Sequence, residues 1–135
     1  MLLGLLASSF DPFHPGYIWA MSQAIQAGAC ESVIAALHID PSVEYDGPQP
    51  IMTVDERGYL LINMQQVSDV IPYETKQDLR DLLATTRPAV RILGDDCIGK
   101  PYVGNEFPIP IFYAKWRNNW GILEFVKGMT RATGP

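Results

Sequence analysis

The stretch SSFDPFHPGY, residues 8–17, decides how this chain folds. It follows the apolar run LLGLLAS (2–8) and places Asp11, His14, Gly16 and two prolines where an extended segment gives way to GYIWAMSQAIQAGA (16–29). In that second segment Ile18, Met21 and Ile25 recur at helical spacing, and Gly28 stands where such a helix should stop. A run apolar on both faces that leads into a helix is the opening unit of a parallel sheet buried between helices.

The pattern repeats outward. SVIAALHI (32–39), SDVI (68–71), AVRILG (89–94) and IPIFYA (109–114) read as four more strands. Thr53 and Glu56 have the spacing of a capping box, ahead of an apolar stripe at Leu60, Leu61 and Met64. A further helix starts near Thr75, with Asp78 in its first turn and Leu79, Leu82 and Leu83 facing inward. WGILEFVKGM (120–129) is read as a terminal helix and TRATGP (130–135) as a frayed tail. The expected architecture is one α/β domain over 1–129, a Rossmann-like three-layer sandwich with right-handed crossovers. Two connections, IDPSVEYDGPQPIM (39–52) and GDDCIGKPYVGNEFP (94–108), are too long for tight turns and are expected to border the site.

Composition limits the partners. With 15 acidic and 10 basic side chains among 135 residues the net charge is −5, so no general field draws nucleic acid or an anionic membrane, and a polyanion must be held locally. Cys30 and Cys97 have neither metal spacing nor the number for a disulfide framework. The first ten residues lack a basic segment, and no run approaches the ~20 apolar residues of a membrane span. A cytoplasmic protein without nucleic-acid or membrane partners is expected.

In an open α/β sheet ligands bind beyond the carboxyl ends of the strands, where strand order reverses. Residues 8–17 lie at such an end and lead into a helix N-terminus, whose N–H groups and partial positive charge suit a phosphate. His14 there can donate to phosphoryl oxygens whose charge grows in a transition state; equally, it can cap the helix or pack beneath a loop. Asp95 and Asp96 can hold a substrate hydroxyl or a metal at the strand end, or stabilise a turn. Asp40 closes the second strand, beside a His38 read as structural. Trp116 and Trp120 can stack on a base or simply pack. GDDCIGK (94–100) has phosphate-loop spacing, but Pro101 replaces the required hydroxyl residue and no helix follows.

SSFDPFHPGY resembles the G-T-F-D-x-x-H-x-G-H signature of the nucleotidyltransferase superfamily, especially its glycerol-3-phosphate cytidylyltransferase-like branch. TVDERGYLLINMQQVSDVIP (53–72) is similar to that branch's second helix and third strand, and RILGDDCIGK (91–100) to its G-D-D-x-x-G-K strand end. The resemblance covers residues 4–115 and implies a five-stranded parallel sheet in the order 3-2-1-4-5. It implies transfer of a nucleoside monophosphate from a nucleoside triphosphate, CTP foremost, to a small phosphorylated alcohol such as glycerol 3-phosphate. Pyrophosphate leaves, Mg²⁺ accompanies the triphosphate, no metal is held by the protein alone, and the chain is expected to form a homodimer.

Carried over by position, the resemblance makes His14, Tyr17 and Lys127 catalytic and gives Ser8, Ser9, Phe10, Gly16, Arg57 and Arg117 to the nucleotide. Asp11, Asp40, Asp95 and Asp96 go to the acceptor. The chain also departs from the pattern. Tyr17 replaces the second His and cannot carry its positive charge. EYDGPQPIM (44–52) has no lysine, Gln65 replaces an Arg, and Gly121, Ile122 and Leu123 stand where the family has hydroxyls. The alternative function is therefore a catalytically impaired member that binds nucleotides or assembles with other proteins.

Overall fold

A computed structural model describes residues 1–44 and 48–116. Five strands, β1 (Leu3–Ser8), β2 (Ser32–His38), β3 (Val67–Tyr73), β4 (Val90–Gly94) and β5 (Ile111–Ala114), alternate with three helices, α1 (Pro15–Gln26), α2 (Val54–Ile62) and α3 (Lys76–Thr86). All strand pairings are parallel and the order is β3-β2-β1-β4-β5, as expected. Among the described residues no helix is long and apolar enough to cross a membrane. The terminal helix and the frayed tail expected at 120–129 and 130–135 lie outside the described residues.

The sheet is buried on both faces. Leu6, Val33, Ala35 and Leu37 join Ala20, Met21 and Ala24 of α1 and Leu61 of α2 in one core. Leu5, Ile34 and Ala36 join Leu79, Leu82 and Leu83 of α3 in the other. Strand order explains the division: β1, β2 and β3 step in one direction across the sheet, and β4 returns to the far side of β1, which sends α3 to the opposite face.

Both expected helix starts are present. Thr53 Oγ1 accepts from Glu56 N–H at 3.1 Å while Thr53 N–H donates to Glu56 Oε1 at 2.9 Å. Thr75 and Asp78 form the same reciprocal box. The apolar stripes differ from expectation at two helices. In α1 the buried positions are Gly16, Ala20, Met21 and Ala24, while Ile18 and Ile25 are half-buried. A helix packed close on a sheet leaves room for small side chains at the contact and pushes larger ones to its margins. In α2 only Leu61 of the expected stripe is buried, and its neighbour one turn back is Arg57.

Candidate functional site

The site is built where β1 runs out. Phe10 has φ +51°, a left-handed conformation costly for a bulky side chain, and its ring is fully buried. It packs 4.9 Å from the Tyr17 ring and 6.3 Å from that of Phe13. With Phe10 anchored and Ser8 Oγ accepting from its N–H at 3.2 Å, the chain turns into α1 with Pro15 in the first turn, where a missing N–H does no harm.

His14 is the N-cap of α1, and its Nδ1 accepts from Gly16 N–H at 3.1 Å. That bond assigns the neutral tautomer with the proton on Nε2. Burial lowers the His14 pKa, which favours the same neutral form. Capping and donation are thus one arrangement, because the cap makes the far nitrogen a donor. Gly16 is required by close approach: a Cβ there would lie 2.7 Å from His14 Cε1 and 3.2 Å from Trp116 Cη2. The first turn of α1 contains no acid, whereas α2 has Asp55 and Glu56 and α3 has Asp78. Its partial positive charge is not offset from within the helix.

Tyr17 lies one turn in, its ring 4.5 Å from that of His14 and 5.7 Å from Trp116. Burial raises its phenol pKa, outweighing hydrogen bonds from the Ser8 side chain and the Asp11 backbone. It is a neutral phenol at physiological pH. Between the ends of β1 and β4, where strand order reverses, a cavity of about 270 Å³ is lined by Ser8, Tyr17, Gly94, Asp96 and Trp116 above an apolar floor.

The other expected residues have different surroundings. Arg57 is 1% exposed, and its guanidinium donates only to main-chain carbonyls in the bonds described. Nη1 reaches Ser9 O and His38 O, both at 2.8 Å, Nη2 reaches Ile39 O at 2.7 Å, and Nε reaches Met52 O at 3.1 Å. It ties the ends of β1 and β2 to the start of α2. The Asp11 carboxylate accepts from the N–H groups of Ile51 and Met52 at 2.8 and 2.9 Å, fastening the end of the 39–52 connection. Asp40 Oδ1 accepts from the Ser42 hydroxyl at 2.6 Å and from its N–H at 2.9 Å, and that hydroxyl leads in lowering its pKa. Asp40 and Arg57 border a separate cavity of about 310 Å³ that shares no lining residue with the first. Asp95 Oδ1 accepts from Trp116 N–H at 3.3 Å. His38 stacks on Tyr73 at 4.7 Å, the structural role expected of it. Arg117 and Lys127, with Trp120 and residues 121–123, lie outside the described residues.

The family model described as cytidylyltransferase-like matches residues 5–127. The chain belongs to the cytidylyltransferase-like family. It is 30% identical over 106 residues to bifunctional protein HldE of Caulobacter vibrioides, an alignment covering 77% of this chain and 21% of that protein. With HldE of Sulfurimonas denitrificans the identity is 31% over 100 residues, 73% of this chain and 20% of the other. This cytidylyltransferase-like chain therefore spans about a fifth of the length of the curated relatives it matches. Two solved structures share the fold. One is the lipopolysaccharide core biosynthesis protein from Thermoplasma volcanium (TM-score 0.66, 17% identity, 87% of this chain and 97% of the other). The other is a putative nicotinate-nucleotide adenylyltransferase from Vibrio parahaemolyticus (TM-score 0.57, 13% identity, 96% and 86%). The kinship expected from SSFDPFHPGY is shown by the family match.

Sequence reasoning misses one contact beside the cavity. Gln23, a helix-surface residue of α1, bonds both main-chain groups of Lys115, 92 positions away, and no local pattern marks such a tether.

Proposed function

We propose that this chain transfers a nucleoside monophosphate from a nucleoside triphosphate, CTP first, to a small phosphorylated alcohol such as glycerol 3-phosphate. A phosphate oxygen of the acceptor attacks the α-phosphorus, the bond to the bridging oxygen breaks, and pyrophosphate leaves with the electron pair. No covalent enzyme intermediate is needed, so the protein's task is positioning and charge stabilisation. The observation that carries this reading is the bond from Gly16 N–H to His14 Nδ1, which makes Nε2 a donor at the N-terminus of α1, whose first turn holds no acid. Ser8, Ser9, Phe10 and Gly16 border the nucleotide, Phe10 through its backbone because its ring is core. Asp40, in the separate cavity beside Arg57, stands on the acceptor side, while Asp11, Asp95 and Arg57 hold the loops that shape it; Asp96, expected on the acceptor, lines the cavity between β1 and β4 instead. Arg117 and Lys127 belong to the proposal by family position alone. Mg²⁺ would come with the triphosphate, whose phosphate oxygens suit it as ligands. A cytoplasmic, two-fold homodimer completes the reading, and light scattering tests the dimer.

A second reading, a nucleotide-binding or assembly protein without turnover, is favoured by the neutral Tyr17 and by the engagement of Arg57 with carbonyls. Pyrophosphate release separates the two. Wild type with Mg²⁺, glycerol 3-phosphate and each nucleoside triphosphate should release pyrophosphate, and His14→Ala should lower the rate about 100-fold or more. Nucleotide binding, seen as a raised melting temperature, without release from any triphosphate would select the second reading. Neither release nor binding would reject both.

A further inference from the structure

We propose that Trp116, held opposite the SSFDPFHPGY turn by Gln23 and Asp95, is the wall on which the nucleobase stacks, with Asp96 accepting from the base's amine. This rests on the nucleotide binding proposed above and names the end of the nucleotide that enters the cavity between β1 and β4.

Trp116 leaves β5 under three constraints. Gln23 Nε2 donates to Lys115 O at 2.9 Å, Lys115 N–H donates to Gln23 Oε1 at 2.7 Å, and Trp116 N–H donates to Asp95 Oδ1 at 3.3 Å. Its indole meets the ring of His14 at 5.6 Å and 76° and that of Tyr17 at 5.7 Å and 67°. It therefore faces the residues that would hold the α-phosphate, within the span of one nucleotide.

The cavity chooses which end of the ligand it takes. Among its described lining residues the only charged side chain is Asp96, so a triphosphate would meet a carboxylate and no counterion. A flat, uncharged ring meets aromatic and aliphatic surface instead. The volume of about 270 Å³ lies just below the ~300–1,000 Å³ of typical small-molecule sites, room for a nucleoside portion rather than a whole triphosphate. A carboxylate only accepts hydrogen bonds. It pairs with the 4-amine of cytosine and repels the 4-carbonyl of uracil, so the site should prefer CTP to UTP.

Calorimetric titration of the full chain with CTP and UTP tests this, together with Trp116→Ala, Trp116→Phe, Asp96→Asn and Gln23→Ala, each first shown to melt near wild type. Trp116→Ala should weaken CTP binding by roughly five- to a hundredfold, the range of base–aromatic stacking, and Trp116→Phe by less. Asp96→Asn should narrow the preference for CTP over UTP. Gln23→Ala, a positioning change, should weaken CTP while leaving the ligand-free melt unchanged. Equal CTP affinity in wild type and Trp116→Ala would overturn the inference while leaving nucleotide binding intact. Absence of any nucleotide binding by wild type would overturn both.

Discussion

Replacing Arg57 by Met should cost the fold far more than the ligand site. The guanidinium makes five hydrogen bonds to main-chain carbonyls, with those to Met52 and Thr53 shared by one N–H. Bonds from a charged group contribute about 1.5–3 kcal/mol each, but the sum overshoots, because the carbonyls of Ile39 and Met52 border a cavity that readmits water. The Met variant leaves no buried charge behind, but each carbonyl that stays dry without a donor costs about 1–3 kcal/mol, so a net loss of about 3–5 kcal/mol is expected. Against a total stability of about 5–15 kcal/mol, such a loss should lower the melting temperature by roughly 10–15 °C. Arg57→Lys keeps the charge but not the planar fork, and should fall between the two. Thermal unfolding followed by circular dichroism, with and without CTP, is the assay. A Met variant that melts within about 2 °C of wild type yet no longer binds CTP would refute this reasoning and make Arg57 a ligand group.

Three further perturbations probe the start of α1 and the middle of α2. Gly16→Ala would place a Cβ 3.0 Å from His14 Nδ1, displacing the cap at a cost of about 1–3 kcal/mol. Gly58→Ala meets only Leu37 Cδ2 at 3.7 Å and should stabilise the chain by about 0.5–1 kcal/mol; urea unfolding of the pair fails the argument if Gly16→Ala matches wild type. Because burial lowers the His14 pKa, the unfolded chain binds the proton more tightly. The His14 contribution is complete above the unfolded pKa of about 6.5 and is lost as pH falls toward the lower folded value. Relative to His14→Gln, wild type should lose stability between pH 7.5 and pH 5, and a gain there would be decisive against it.

The strands, the Thr53–Glu56 capping box and the helix start near Thr75 were legible because each rests on a local signal, an apolar run or a Thr three residues ahead of an acid, while the strand order came with the resemblance to the nucleotidyltransferase superfamily. Of the α1 stripe, Met21 is core and Ile25 packs against it, while Ile18 gives way to Ala20 and Ala24, since hydrophobicity ranks Ile above Ala whereas the gap between helix and sheet is set by size. Arg57 carries no sequence mark of burial, because its partners are carbonyls from three parts of the backbone, Ser9, His38–Ile39 and Met52–Thr53, and carbonyls have no residue identity. The same limit hides the grip of Gln23 on Lys115. Side-chain to side-chain chemistry leaves a pattern in the sequence; side-chain to backbone chemistry across the fold does not.

Leu5 and Leu6 point into different cores, and two residues further on, Ser8 sits at the rim of the cavity. A single residue inserted into β1 would exchange the two faces and carry Ser8 and Phe10 out of step with His14. The described residues of the 39–52 connection are held instead by hydrogen bonds near its ends, Ser42 to Asp40, Glu44 to the N–H of Lys76, and Ile51 and Met52 to Asp11. Changes in chain length are thus filtered by place in this architecture. The segment before the phosphate motif is a ruler whose length is fixed by two cores at once, and the loop opposite is where a lineage can grow or shrink to fit a new acceptor.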